Sequence, residues 1–271
     1  MSRASTLSPG LCSVTFRHLS VPEVVALTST AGLDGVEWGG DVHVPVGDLR
    51  GAADAARCTT DAGLRVASYG SYLFADQGSL GGIGPVLDTA EALGTDLVRV
   101  WCPFGIEPDA SHDERARVAD VLTAWASVAA ERDMTLYLEF HGGTLTATAS
   151  STRALLEAVG AHNLATAWQP PYWDRSPTGA PRPGEVDDLA RLTPWLAHVH
   201  VYEWTADLTR RPLVAGEGHW PATLAGATPG RPGLDRFALL EFVADDDPVT
   251  LAADAATLLR WLGSSPHAVP T

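Results

Sequence analysis

Eight short apolar runs that favour β-strand recur along the chain, and segments with helical patterning fill most of the gaps between them. Eight strands alternating with helices over about 250 residues are typical of a (β/α)8 TIM barrel. We therefore predict one α/β domain over residues 1–271, folded as a single (β/α)8 TIM barrel. The predicted strands cover residues 11–17, 35–38, 64–69, 96–101, 135–141, 164–169, 196–204 and 238–243.

Capping signals mark the ends of several predicted helices. Ser20 with Glu23, and Ser111 with Glu114, have the spacing of a capping box, in which each side chain bonds the other residue's backbone N–H. Glycine follows the last helical residue of several segments, as is common where a helix ends in the left-handed conformation. These signals predict helices within residues 20–32, 111–133, 150–160 and 247–263.

A doubly wound open sheet is the rival fold, and it usually carries a glycine-rich phosphate turn after its first strand. Here the first apolar run leads into "RHLSVPEV", which has no such turn. The segment "SLGGIGP" (79–85) does not directly follow a strand, so we interpret it as an ordinary loop that enters a helix. The proline-rich stretch 169–186 is predicted to be a long loop after the sixth strand, and loops of that length are often functional.

The absence of lysine excludes several classes of chemistry. All 18 basic residues are arginines. A chain without lysine cannot form a Schiff base through a side-chain amine, and it cannot hold pyridoxal phosphate covalently. It also lacks the lysine of a phosphate-binding P-loop.

Net charge and cysteine content predict which partners the protein can have and in which compartment it works. A formal charge of −15 opposes binding to nucleic acid, and no apolar run approaches the roughly 20 residues that span a bilayer. The N-terminus lacks the apolar core of a signal peptide. Three cysteines, Cys12, Cys58 and Cys102, favour a reducing cytoplasm and are interpreted as small core residues. We expect a cytoplasmic protein without nucleic-acid or membrane partners, and the sequence leaves a homo-oligomer open.

Polar residues occur near the C-terminal ends of most predicted strands, although the interior of such a barrel is normally filled with branched apolar side chains. In "TLYLEFHGG" (135–143), strand alternation puts Glu139 and His141 on one face with Tyr137. Catalytic residues of TIM barrels come from these strand ends, so the pattern indicates a functional site at the mouth. The polar strand-end residues are Arg17 or His18, Glu37, Arg99 with Trp101, Glu139 with His141, Gln169, His200 and Glu241.

Four of these residues form a candidate metal site. Glu139, Gln169, His200 and Glu241 come from strands five to eight, and together they offer two carboxylates, an amide oxygen and an imidazole. This set suits Mn²⁺, Mg²⁺, Co²⁺ or Zn²⁺. A cation would also offset the repulsion between the carboxylates. Each residue taken alone could instead be a buried, hydrogen-bonded polar group, and His198 is interpreted as a structural histidine deeper on its strand.

Several segments resemble the xylose isomerase-like TIM barrel family, which includes sugar and sugar-phosphate isomerases and epimerases. They are "GLDGVEWGG", "LEFHGGTLT", "HVHVYEW" followed by "VAGEGHWPATL", and "LLEFVADDDP". The resemblance implies one divalent ion held by Glu, Asp, His and Glu from strands five to eight. Glu139, His200 and Glu241 match that pattern. Gln169 stands where the family has Asp, and because it is neutral it predicts weaker metal binding.

The resemblance also implies a reaction: an isomerase or epimerase moves a proton beside the carbonyl of a small sugar-like substrate, through an enediolate. Glu139 and Glu241 would then serve as metal ligands and as catalytic acid and base. Arg211 resembles a substrate-contacting arginine of the family, and Trp38 is a further aromatic candidate for the site. The predicted substrate-binding residues are Glu37, Arg99, Trp101, His141, Tyr202, Trp204 and Arg211.

Two alternatives remain open from the sequence. A lyase or dehydratase acting on a keto sugar would use the same scaffold and the same first proton transfer. A metal-free binding or accessory protein that has lost turnover is the second alternative, and Gln169 is the feature that motivates it.

Overall fold

A computed structural model describes residues 7–76, 82–174, 181, 184–228 and 230–264. Its eight parallel strands form a closed barrel in chain order, with helices around it, which confirms the predicted (β/α)8 TIM barrel. The strands are β1 Ser8–Cys12, β2 Gly35–Gly39, β3 Arg65–Phe74, β4 Leu97–Trp101, β5 Thr135–Leu138, β6 Leu164–Trp168, β7 Leu196–Val201 and β8 Phe237–Leu240.

Eight α-helices follow the strands in the described part of the chain, and the predicted capping signals hold. Glu23 accepts a hydrogen bond from the Ser20 backbone, and Glu114 does the same for Ser111. Gly160 and Gly263 end their helices in the left-handed conformation. The helices are α1 Val21–Thr30, α2 Leu49–Asp61, α3 Ile83–Leu93, α4 His112–Ala130, α5 Ala149–Val159, α6 Glu185–Leu192, α7 Trp220–Gly226 and α8 Pro248–Leu262.

The predicted bounds of the first strand, 11–17, are wrong. β1 begins at Ser8, and residues 13–16 form a 3₁₀ helix. Gly10 looks like a turn residue in the sequence, but the barrel interior requires it. A Cβ at this position would lie 2.7 Å from the Leu239 side chain and 3.0 Å from the Phe237 ring. The residue that ends β1 is therefore Cys12, and Arg17 and His18 lie beyond the 3₁₀ helix.

Other strand ends shift by a few residues. β5, β7 and β8 stop earlier than predicted, so Glu139 and Glu241 lie one residue past their strands. β3 continues to Phe74 instead of ending at residue 69. In the predicted loop 169–186, residues 175–180, 182 and 183 lie outside the described residues, as do residues 79–81 of "SLGGIGP". α3 begins directly after Gly82, as expected for a loop that enters a helix.

Most of the apolar core lies between the barrel and its helices, and two smaller clusters, one with Phe237 and one with Tyr137, fill the barrel interior. Trp38 is fully buried and its Nε1 donates to Thr59 Oγ1 on α2, 3.1 Å away. Trp38 therefore packs outside the barrel, and the expectation that it lines the site is wrong. No helix in the described ranges is both long enough and apolar enough to cross a lipid bilayer.

Candidate active site

Three of the four predicted metal ligands converge at the C-terminal mouth of the barrel. His200 Nδ1 lies 3.4 Å from Glu139 Oε1 and 3.5 Å from Glu241 Oε2. All three residues are buried. Their convergence follows from strand alternation, because inward-facing residues at the ends of β5, β7 and β8 point to the same axis.

The fourth predicted ligand, Gln169, lies beside Glu139. Its Nε2 donates to Glu139 Oε1 at 3.1 Å and to the Phe140 carbonyl oxygen at 2.5 Å. Turning the amide around would set its oxygen against both acceptors, so this orientation is the favourable one. Gln169 thus holds the Glu139 carboxylate through its NH₂ group. Its role as a metal ligand stays a prediction.

A buried ion pair joins β2 and β4 next to the predicted ligands. Arg99 Nη1 lies 2.7 Å from Glu37 Oε1 and 3.3 Å from Glu139 Oε2, with only 2% and 1% of the Arg99 and Glu37 side chains exposed. Glu37 Oε2 also accepts hydrogen bonds from Ser68 at 2.8 Å and from Tyr137. Glu37 and Arg99 were predicted to bind substrate. The structure pairs both with protein groups, and their contact with substrate stays a prediction.

Gly70 on β3 leaves the room that this ion pair occupies. A Cβ at this position would lie 2.9 Å from Arg99 Nη2 and 3.0 Å from Glu37 Oε1. Real side chains almost never approach that closely, so even alanine would displace one partner of the pair.

The charges in the site do not balance among the protein groups. Three buried carboxylates, Glu37, Glu139 and Glu241, surround a single buried guanidinium, that of Arg99. Burial alone would raise the pKa of Glu37, but Arg99 holds it well below its usual value. Burial raises the pKa of Glu241 to about 7. Two negative charges therefore remain when every carboxylate is ionised and the His200 imidazole is neutral, as it must be to bind a metal ion.

The two histidines of β7 differ in their surroundings. Burial would lower the pKa of His200, but the facing carboxylates, Glu139 foremost, raise it well above its usual value. Burial lowers the pKa of His198 to about 4, and its Nδ1 accepts a hydrogen bond from the Phe237 backbone at 3.1 Å. This matches the interpretation of His198 as a structural histidine.

A divalent cation fits these residues. Neither ring nitrogen of His200 has a hydrogen-bond partner among the described residues, and Glu139 Oε2 makes only its ion pair with Arg99. Buried polar atoms without partners are costly unless a ligand satisfies them. An ion with two positive charges would neutralise the excess, and Glu139, His200 and Glu241 are the residues that would hold it.

Several aromatic side chains form a wall beside the predicted ligands. Trp101 packs on His141 with ring centroids 5.3 Å apart, and Tyr202 packs on Trp204 at 4.8 Å. The Tyr202 hydroxyl donates to the Pro170 carbonyl at 2.6 Å. Two members of this wall were not predicted from the sequence: Tyr172, which contacts His141 and Trp204, and Trp173, which contacts His141. The signal was "QPPYW", directly after the sixth strand.

An arginine that the sequence analysis did not select also reaches the mouth. The Arg210 guanidinium carbon lies 4.7 Å from the Phe242 ring centroid, and the group is close enough to Glu241 to feel its charge. Arg210 and Arg17 line a cavity of about 190 Å³. The predicted residue, Arg211, donates its backbone N–H to the Glu203 carbonyl, and contact between its side chain and substrate stays a prediction.

Comparison with known proteins assigns the fold to a family. A family model described as a xylose isomerase-like TIM barrel matches residues 25–262. A 3-dehydroshikimate dehydratase from Bacillus anthracis is 26% identical over 202 residues, which cover 70% of this chain and 69% of that protein.

Solved structures share the architecture. The structure of a probable 3-DHS dehydratase from Bacillus anthracis has a TM-score of 0.78 and 22% identity, and the match covers 93% of this chain and 98% of that one. A D-allulose 3-epimerase from Methylomonas sp. has a TM-score of 0.69 and 16% identity, covering 97% of this chain and 100% of that one.

Proposed function

The chain belongs to the xylose isomerase-like TIM barrel family, and we propose that it is a cation-dependent dehydratase. In this proposal it removes a proton beside the ketone of a small hydroxylated ring acid and expels a hydroxyl group as water. The convergence of Glu139, His200 and Glu241 carries the proposal. This set places acid–base groups next to a position where a divalent ion would sit.

The ion, when bound, would polarise the ketone oxygen and offset the negative charge that develops there. Glu241 suits the proton transfer, because burial sets its pKa to about 7 and it is the most exposed of the three carboxylates. Burial would raise the pKa of Glu139, but the charges of His200 and Arg99 lower it, so the carboxylate stays ionised. Gln169 and Arg99 hold it in position.

In the elimination, one carboxylate can both remove and return the proton. Glu241 takes the proton from the carbon beside the ketone, the C–O bond of the neighbouring hydroxyl breaks, and Glu241 returns the proton to the departing oxygen. Water leaves, a C=C bond remains in the product, and the carboxylate is regenerated. No lysine amine is required, which agrees with the composition of the chain.

The arginines at the mouth favour an anionic substrate. Arg210 and Arg17 both approach the Phe242 ring and line the same cavity, where Arg210 pairs with Asp246 and Arg17 pairs with Asp41. An anionic substrate would replace one of these carboxylates as the partner of a guanidinium. A guanidinium binds a carboxylate well because its planar donors match the two oxygens. The relative is named for its substrate, 3-dehydroshikimate, which is a ring ketone with a carboxylate. Aromatic side chains suit the C–H surface of its ring and the flat aromatic ring that dehydration produces.

A sugar isomerase or epimerase is the second candidate, supported by the structural likeness to an epimerase. Its first step is the same proton removal beside a carbonyl. The two reactions differ in the second step, since in an isomerase or epimerase the proton returns to carbon and no water is lost.

The test measures two processes separately: exchange of hydrogen for deuterium at carbon, and loss of water. The Mn²⁺-loaded protein is incubated in D₂O with 3-dehydroshikimate and with a panel of neutral ketoses, and NMR reads the products. We expect dehydration of the acid. Deuterium exchange or a new epimer from a ketose would favour the second candidate, and an unchanged panel with the ion bound would contradict both.

A matched pair of variants tests the anion site. Arg210→Gln should raise KM for the acid by about tenfold, the loss of roughly one charge-assisted contact, and leave neutral substrates unaffected. The same substitution at the neighbouring residue, Arg211→Gln, is the control. If Arg211→Gln alone raises KM, the side chain predicted from the sequence is the one that binds substrate.

A further inference from the structure

Cys12 carries a buried thiol that the proposed reaction does not use. It ends β1 and is fully buried, with Sγ 3.8 Å from Glu37 Oε1. β1 pairs with β8 in a register that matches Leu11 to Leu240, so the next residues along the two strands are Cys12 and Glu241. The thiol therefore belongs to the same end of the barrel as the carboxylates.

Cys12 also stands at ligand distance from two of the predicted metal ligands. One donor atom each from Cys12, His200 and Glu241 lies within 4.8 Å of the others, and all three residues are buried. Atoms bonded to one tetrahedral Zn²⁺ at about 2.0–2.3 Å lie about 3.3–3.8 Å apart. An inward movement of the side chains that shortens the donor separations by up to about 1.5 Å would therefore bring all three donors onto one ion.

A second observation points to a ligand at this place. The ring nitrogens of His200 are buried and make no hydrogen bond to any described residue. Gln169 contributes no charge and turns its NH₂ group toward Glu139. A cation at this place would satisfy the imidazole, and Cys12 lies within reach of the same position.

We infer that Cys12 is a cation ligand together with His200 and Glu241, and that the site therefore takes a thiophilic ion such as Zn²⁺ or Co²⁺ in preference to Mg²⁺. The inference rests on the proposed cation dependence and specifies the ion. Thiolate sulfur favours these softer ions, whereas carboxylate, carbonyl and water oxygens suit Mg²⁺. Binding breaks the S–H bond, forms the S–metal bond and releases the thiol proton to solvent.

Cobalt provides a direct readout, because a thiolate bound to Co²⁺ gives a sulfur-to-metal charge-transfer band in the near ultraviolet. Co²⁺ is titrated into the full chain and into Cys12→Ser and Cys12→Ala, with circular dichroism to confirm folding. Cys58→Ala and Cys102→Ser are controls at the two other cysteines. We expect the band in the wild type and in both controls, and its loss in both Cys12 variants.

Affinity provides the second readout. The Cys12 variants should bind Zn²⁺ at least about tenfold more weakly, which corresponds to about 1.4 kcal/mol, and Mg²⁺ as the wild type does. One Co²⁺ bound per chain without the band, or a band that persists without Cys12, would overturn the inference and leave the proposed function intact. Folded protein that binds none of these ions would overturn both.

Discussion

Two sides of the barrel mouth differ in how their charged groups are satisfied. On the paired side, Glu37, Arg99 and Glu139 form ion pairs, and Gln169, Ser68 and Tyr137 add hydrogen bonds to the two carboxylates. On the open side, Cys12, His200 and Glu241 have donor atoms close together, and the His200 ring nitrogens face carboxylates without a hydrogen bond to any described residue. The contrast indicates that the paired side stabilises the structure and that the open side binds the cation and reacts. Substitutions on each side can test that division.

The largest expected effect is on turnover, from Glu241→Gln on the open side. Removing a general acid–base group typically costs about 10²–10⁴-fold in rate, so kcat should fall by about 10³-fold. The amide keeps the shape of the side chain, so thermal stability should change little. Glu107→Gln, at an exposed position, is the control. A fully active Glu241→Gln would remove this residue from the proton transfer.

Arg99→Met should instead lower the free energy of unfolding. Losing one partner of a buried ion pair typically costs about 3–5 kcal/mol, because the carboxylates left behind are uncompensated. Urea denaturation measures the loss. The exposed pair of Arg153 and Glu157 gives the control, and Arg153→Met should cost less than about 1 kcal/mol. Equal losses for the two variants would show that the paired side is not a structural frame.

Gly70→Ala tests the space that the ion pair occupies. The added methyl group must displace Arg99 or Glu37, and overpacking of this kind typically costs about 1–3 kcal/mol. Gly84→Ala is the matched control, because no atom lies within 4 Å of its added Cβ. We expect lower stability and weaker cation binding only for Gly70→Ala. Equal behaviour of the two variants would contradict the close approach.

Acid should weaken cation binding on the open side. Below pH 7 Glu241 gains a proton, since its pKa is about 7, and the raised pKa of His200 keeps a proton on the imidazole that the ion must displace. Each proton released on binding changes the affinity by about tenfold per pH unit. Calorimetric titration of Mn²⁺ should therefore show affinity falling as the pH is lowered, more steeply below pH 7. A flat profile would exclude both groups as ligands.

Gln169→Asp should have the smallest effect, on the paired side. The new carboxylate adds an anion near the cation position, and we expect about tenfold tighter Mn²⁺ binding. Gln169→Asn, which stays neutral, is the control. Unchanged affinity in the aspartate variant would place residue 169 outside the ligand set, with its NH₂ group serving only to hold Glu139.

The strand pattern identified the converging residues because alternation has a strict period of two. Glu139, His200 and Glu241 each lie at a predicted strand end and do meet. The same rule failed at Cys12, because the barrel needs Gly10 inside β1 and a 3₁₀ helix occupies the positions where the strand was predicted to continue. A glycine demanded by packing looks like a turn residue in the sequence.

Side-chain pairings between distant strands could not be predicted from the sequence. Glu37 and Arg99 are 62 positions apart, and only the barrel closure brings them into contact. The same holds for Arg210, Tyr172 and Trp173, which lie in loops whose paths are set by tertiary contacts. The sequence could not predict whether Arg210 or its neighbour Arg211 lies at the mouth, because both are arginines in the same loop.

Cation stoichiometry tests the central claim most directly. Mn²⁺ is titrated into chelator-treated protein, with bound ion measured by electron paramagnetic resonance and activity measured on the same samples. The account predicts one ion per chain, activity in proportion to bound ion, and loss of both in His200→Ala. Full activity in thoroughly chelated protein with no ion bound would contradict it.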